Sequence, residues 1–180
     1  TKKDNEFKTR LSIIIALFLL TLVALYKEPI LNVFNSDDEI KDYVQLIFQI
    51  RNKAIIGNDL ETIESLYDVG TKYGQWAYEY EIRKVKYLHN WGQKQGVKFV
   101  EINPKTVVKN IKMGEDRITI NLLCNTEYKY VYENEEDKIN TSRIGTYHIL
   151  ELVKRNDRWL ISKEWYNDPF ADSLKLDNIK

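Results

Sequence analysis

Hydrophobic and polar positions follow three different rhythms along this chain, and each predicts a different element. The first is an unbroken apolar run that opens at Leu11 and closes at Tyr26, sixteen residues without a charge. As one helix it measures about 24 Å at roughly 1.5 Å per residue, enough to cross a bilayer once flanking residues reach for the interface. Pro29 is a natural stop. Residues 11–28 are therefore expected to be a transmembrane signal anchor, behind a tail at 1–10 and ahead of a juxtamembrane linker at 29–36. Val23, Leu25 and Tyr26 are too bulky for the small-residue pattern of a signal-peptide cut, so the anchor is expected to stay uncleaved. Lys2, Lys3, Lys8 and Arg10 outnumber Asp4 and Glu6 ahead of it. That bias keeps the amino terminus cytoplasmic and sends residues 37–180 to the extracytoplasmic side of the cell membrane, as a single-pass protein.

The second rhythm has a period of three to four. Ser36 followed by Glu39 is a capping box, and Ile40, Tyr43, Val44, Ile47, Ile50 and Ala54 form the apolar stripe of the helix it opens. Gly57 and Asn58 end that helix. Asp59 can cap a shorter one with Leu60, Ile63, Leu66 and Tyr67 inward, closed by Gly70. A third helix is predicted over residues 72–95. One stripe holds Tyr73, Trp76, Ala77, Tyr80, Tyr87 and Trp91, and a second holds Tyr78, Ile82, Val85 and Leu88. Only a narrow polar arc remains, which predicts a helix that a sheet curls around.

After Gly96 the period becomes two. Strands are predicted at 97–102, broken by Asn103 and Pro104, and at 106–112. A long strand follows at 117–132, with Ile118, Ile120, Leu122, Cys124, Thr126, Tyr128, Tyr130 and Tyr132 on one face. An acidic loop at 133–137 leads to a strand at 142–154. Asn156 and Asp157 turn it into the last, 158–166, with Trp159, Ile161 and Trp165 together. Helices followed by an antiparallel meander mean α+β. By analogy, about three helices on a curved sheet of about four strands are most like the nuclear-transport-factor-like (NTF2-like, cystatin-like) cone.

Charge adds little. The chain has 27 basic and 27 acidic residues, and residues 37–180 hold 22 against 24. No clustered basic run points to nucleic acid. A single Cys excludes an internal disulfide framework. There is no Gly-rich phosphate loop and no Ser-centred elbow, so no cofactor is expected.

The candidate chemistry is thin. With a hairpin centred near Glu136, Cys124 and His148 lie opposite each other, a nucleophile and base in principle. Cys124 sits mid-strand, however, away from a helix N-terminus that would favour its thiolate. A buried Cys beside a hydrogen-bonded His is the stronger reading, and no catalytic set is assigned. His89 stands alone, whereas a metal needs three or four ligands. Glu133, Glu135, Glu136 and Asp137 lack the Gly and spacing of a calcium loop. Tyr128, Tyr130 and Tyr132, with Tyr147 nearby, make an aromatic face suited to sugar rings of a cell-wall polymer, or simply to cross-strand packing.

The run RWLISKEWYNDPFADSL at 158–174 resembles the closing motif of the amino-terminal region of predicted amidase-domain proteins from Gram-positive, mostly spore-forming bacteria. IRNKAI at 50–55, EYKYVYE at 127–133 and IGTYH at 144–148 are similar to the same region, so the resemblance covers about residues 38–180. In that family a papain-like amidase domain follows this ending. Its Cys and His have no counterpart here, and Cys124 and His148 do not correspond to them. The resemblance implies a non-catalytic, membrane-anchored extracytoplasmic accessory domain (spacer, targeting or interaction) of a cell-wall amidase. Its expected partners are the lipid bilayer, a cell-wall polymer, a downstream amidase domain and a second copy of the chain. The alternative is a scaffold subunit of a secretion or conjugation machine, which shares the plan of one span and a cone. A third reading is a small-ligand pocket or enzyme in the helix-to-sheet cavity.

Overall fold

The computed structural model describes residues 36–176. The predicted tail, the anchor and all of the linker but Ser36 lie outside the described residues. Among the described residues no helix is long and apolar enough to cross a membrane. The elements are α1 (Asp37–Gly57), α2 (Leu60–Glu64), α3 (Lys72–Gln95), β1 (Val97–Met113), β2 (Arg117–Tyr132), β3 (Glu135–Arg155), β4 (Arg158–Tyr166) and α4 (Ala171–Leu176). The four strands form an antiparallel sheet in the order β1-β2-β3-β4.

Local chemistry sets the helix ends. The Ser36 hydroxyl accepts from the Glu39 amide at 3.3 Å, and the Asp59 carboxylate accepts from the Thr62 amide at 3.1 Å. These contacts satisfy amides that have no partner within the helix. Asn58 and Gly96 close α1 and α3 with φ of 51° and 61°, a left-handed turn those residues tolerate. Ile40, Val44 and Ile47 of α1 pack on Ile118, Ile120 and Leu122 of β2, on Leu150 and Leu152 of β3, and on Ile161 of β4. Ile55, Val85, Leu88 and Ile102 make a second cluster.

Three expectations change. The sheet does not envelop α3: Tyr73 and Trp76 remain 55% and 53% exposed and pack edge to face on each other. The line that faces inward is Gly74, Glu81, Val85, Leu88 and Gly92. A Cβ at Gly74 would collide with the Asp68 carbonyl oxygen, so the backbone runs closest along the small residues and turns the aromatic stripe aside. Second, β1 continues through Pro104. It is an edge strand, where proline is tolerated, and Gln45 of α1 closes the gap: its amide donates to the Pro104 carbonyl at 2.8 Å and its carbonyl accepts from the Thr106 amide at 2.8 Å. Third, β3 begins at Glu135, so most of the acidic stretch is strand and only residues 133–134 turn.

The ends of the domain differ. Tyr43 near the start of α1 donates to the Trp159 carbonyl at 2.6 Å, beside the β3–β4 turn. Ile55 near its end packs with Leu88 and Ile102. The closed end holds the β1–β2 and β3–β4 turns, tied by Lys154 N–H to the Asp116 carbonyl at 3.0 Å. The open end holds the carboxyl end of α3, the β2–β3 turn and α4. Ser36 lies at the closed end; β4 ends midway along β3, with Tyr166 opposite His148, and the chain continues to α4 at the open end, where Leu174 lies near Tyr87. The 21 residues of α1 between the two ends span about 30 Å at 1.5 Å per residue.

Candidate functional site: a charged chamber behind an aromatic pocket

Arg51 occupies a stripe position of α1, one turn after Ile47 and one before Ile55, where an apolar side chain is expected. The residue is only 3% exposed. It donates to Glu81 of α3 at 2.5 Å and to Glu164 of β4 at 3.0 Å. Lys84, one turn on from Glu81, pairs with the same Glu81 oxygen at 3.0 Å and donates to the Tyr166 hydroxyl at 2.9 Å. His148 of β3 lies 2.9 Å from Glu164 through Nδ1 and 2.7 Å from the Thr146 hydroxyl through Nε2. Its ring stacks on Tyr166 at 4.5 Å and meets the edge of Phe48 at 4.9 Å.

Burial and charge act against each other here. Burial alone would raise the Glu164 carboxyl, but the Arg51 charge and the His148 hydrogen bond outweigh it and hold Glu164 well below the usual carboxylate range. Burial would likewise raise Glu81, and Arg51 and Lys84 reverse that. Desolvation opposes the Arg51 charge, yet the two carboxylates leave it more firmly protonated than a free guanidinium. Burial pushes His148 down, against the pull of Glu164. His148 is therefore neutral at pH 7, with Nδ1–H donating to Glu164 and Nε2 accepting from Thr146. Two cations balance two anions, and each is paired.

These groups line a chamber of about 40 Å³, room for about one water. In front of it, sharing Tyr128, Ile144 and Phe170, opens a pocket of about 360 Å³ walled by Tyr87, Leu88, Trp91, Val97, Phe99 and Tyr130. Small-molecule sites start at roughly this size.

The sequence candidates separate. Cys124 faces Thr146 across the β2–β3 ladder, and His148 faces Leu122. The hairpin turns at residues 133–134 and not near Glu136, and with an irregularity between Tyr130 and Tyr132 the ladder lies two residues from the expected register. Both side chains point into the chamber, but Thr146 stands between them. Burial pushes the Cys124 thiol up, only partly offset by the Thr126 hydroxyl at 3.5 Å, which is the wrong direction for a nucleophile. Tyr128 and Tyr130 line the pocket. Tyr132 packs on Tyr130 at 5.8 Å and is 40% exposed. Tyr147, next to inward His148, lies on the other face of the sheet. His89 contacts Gln93, and no metal-binding group of His, Cys, Asp or Glu occurs among the described residues.

Arg51, Glu81 and Glu164 escaped the sequence reading. The signal for two of them was a charge on an apolar helical stripe. Glu164 was hidden by a bulge at Ser162, which pairs Glu151 with Lys163 but Leu152 with Ile161. Past it the alternation inverts: Glu164 and Tyr166 turn inward, and Trp165 is 58% exposed rather than facing in with Ile161.

No protein-family model and no curated protein matches the chain. Among solved structures, one described as a dehydratase of the NTF2-like family from Streptomyces avermitilis superposes with a TM-score of 0.50. It is 12% identical over 73% of this chain and 97% of its own. One described as a scytalone dehydratase from Novosphingobium aromaticivorans gives 0.44 at 12% identity, over 73% and 90%. An NTF-2-like protein from Shewanella oneidensis gives 0.41 at 14%, over 71% and 98%. The first of these carries the likeness, and it is one of fold alone: an α+β domain with NTF2-like neighbours and four antiparallel strands.

Proposed function

We propose that this chain is a membrane-anchored, extracytoplasmic accessory domain that spaces and positions a cell-wall amidase. The observation that supports the reading is that Ser36 and α4, at the two limits of the described residues, lie at opposite ends of the domain. Ser36 opens α1 at the closed end and α4 lies at the open end, about 30 Å away along α1. A domain so threaded acts as a pillar between a bilayer and a downstream partner.

The chamber supports a non-catalytic role. His148 has both ring nitrogens engaged, Glu164 is locked as a carboxylate, and the Cys124 thiol is shifted away from reactivity. General acid–base work needs a group free to exchange its proton near neutral pH.

Protease added to intact protoplasts is expected to digest residues 37–180 and spare the tail; full protection of 37–180 would overturn the extracytoplasmic placement. Reading the gene beyond Lys180 tests the other half. A Cys- and His-bearing domain supports the amidase role, and an immediate stop codon overturns it in favour of the secretion-scaffold alternative.

A further inference from the structure

Tyr87 and Trp91 have two sides. One side walls the aromatic pocket, and the other walls a groove of about 420 Å³ on the outer surface of α3. The groove carries Arg83, Lys86 and Lys94, with Asn90 between them and Leu174 of α4 opposite. The three cations are exposed. Among the described residues none of them pairs with a carboxylate, and no residue lining the groove is acidic. Arg83 instead lies over the Tyr80 ring at 5.7 Å.

An apolar pocket normally takes a ligand's polar group toward its polar floor. Here the floor is closed to that. The chamber behind the pocket has room for about one water, and its two cations are already matched by Glu81 and Glu164. A ligand seated in the pocket must therefore send its polar group outward, past the rims of Tyr87 and Trp91. The unmatched charge that it meets there is positive.

We propose that pocket and groove form one binding site for a small amphipathic anion. Its flat or branched apolar body sits among Tyr87, Trp91, Phe99 and Tyr130, and its carboxylate, sulfonate or phosphate rests on Lys86 and Lys94, with Arg83 adjacent. The aromatic walls select the body by shape and stacking. The cations select the sign of the charge. The site needs neither the anchor nor a downstream domain, so its failure would leave the spacer reading untouched, and the reverse holds.

The test uses the full chain in phosphatidylcholine nanodiscs, with empty nanodiscs as the blank, titrated calorimetrically with 2-naphthoate and with uncharged 2-naphthamide. The anion is expected to bind saturably and roughly fivefold more tightly than the amide, the scale of a few exposed charge contacts. Ser142→Trp, at the exposed rim of the pocket, should weaken both probes at least about tenfold by filling the space. Lys86→Gln with Lys94→Gln should bring naphthoate to the level of the amide while leaving the amide within about twofold. Absence of saturable binding at millimolar probe, equal affinity for the two probes, or a Ser142→Trp protein that melts normally and binds normally would each overturn the site. Should Ser142→Trp fail to fold, the paired lysine variant, exposed on α3, decides the matter alone.

Discussion

Arg51 holds together two carboxylates that come from different layers, Glu81 on α3 and Glu164 on β4. It is the one cation that both share, Glu81 otherwise having Lys84 and Glu164 only neutral His148, and desolvating an under-paired charge costs more than burying an apolar group gains. Arg51→Met should therefore destabilise the domain by roughly 3–5 kcal/mol, the scale for a broken buried pair. Adding Glu81→Gln and Glu164→Gln to Arg51→Met should recover more than half of that loss, since both carboxylates are then neutral and only the partly exposed Lys84 loses its ion pair. Chemical denaturation with an unchanged m-value checks both steps. A triple variant as unstable as the single one would show that Arg51 acts through its packing on Phe48, where its guanidinium lies 5.0 Å from the ring centre. This residue level was the least legible in the sequence. Periodicity sorts positions into inward and outward, and it treats a charge on an inward stripe as noise. Arg51 and Glu81 are the cases where that noise was the signal.

Elements were far easier to read. Ser36, Asp59 and Gly96 end helices through contacts made within a few residues, so α1, α2 and α3 follow from local chemistry. Strand phase failed past the bulge in β4, because one extra residue flips every later side chain. The bulge at Ser162 moved Trp165 outward and Glu164 inward; in the β2–β3 hairpin the turn falls at residues 133–134 instead of near Glu136, so His148 faces Leu122 and both it and Cys124 still point inward. Glycines within helices show the same divide between local and distant causes. Helix propensity favours Ala over Gly by about 1 kcal/mol at any interior position. At Gly57 a Cβ would meet nothing within 4 Å, and Gly57→Ala should stabilise the domain by roughly 0.4–1 kcal/mol. At Gly74 the Asp68 carbonyl occupies that space, and overpacking of about 1–3 kcal/mol outweighs propensity. Thermal melts should rise for the first variant and fall for the second. A Gly74→Ala protein as stable as the parent would mean that α3 can lift off the Asp68 turn at no cost.

For the whole molecule, the buried chamber makes folding sensitive to acid in two stages. His148 has an ordinary value of 6.5 and is lowered in the folded chain by burial. As pH falls through 6.5 the unfolded chain takes up a proton that the folded chain refuses, so stability declines. Glu164 and Glu81 are also lowered, from an ordinary 4.5. Their contribution is complete above 4.5 and is lost progressively below it, as the unfolded carboxylates protonate first. Both stages have the same sign: stability begins to drop below about pH 7 through His148, and more steeply below about pH 4.5 once the glutamates contribute. The chamber sits where α1, α3, β3 and β4 meet, so its protonation is felt by the whole fold rather than by one loop. His148→Gln keeps a donor for Glu164 and an acceptor for Thr146 but cannot titrate. Its melting temperature should be flat from about pH 7 to 5 and then fall below about pH 4.5 through the glutamates. If the parent shows no decline above about pH 5, or if His148→Gln declines there equally, the neutral, doubly engaged histidine drawn from the geometry is wrong.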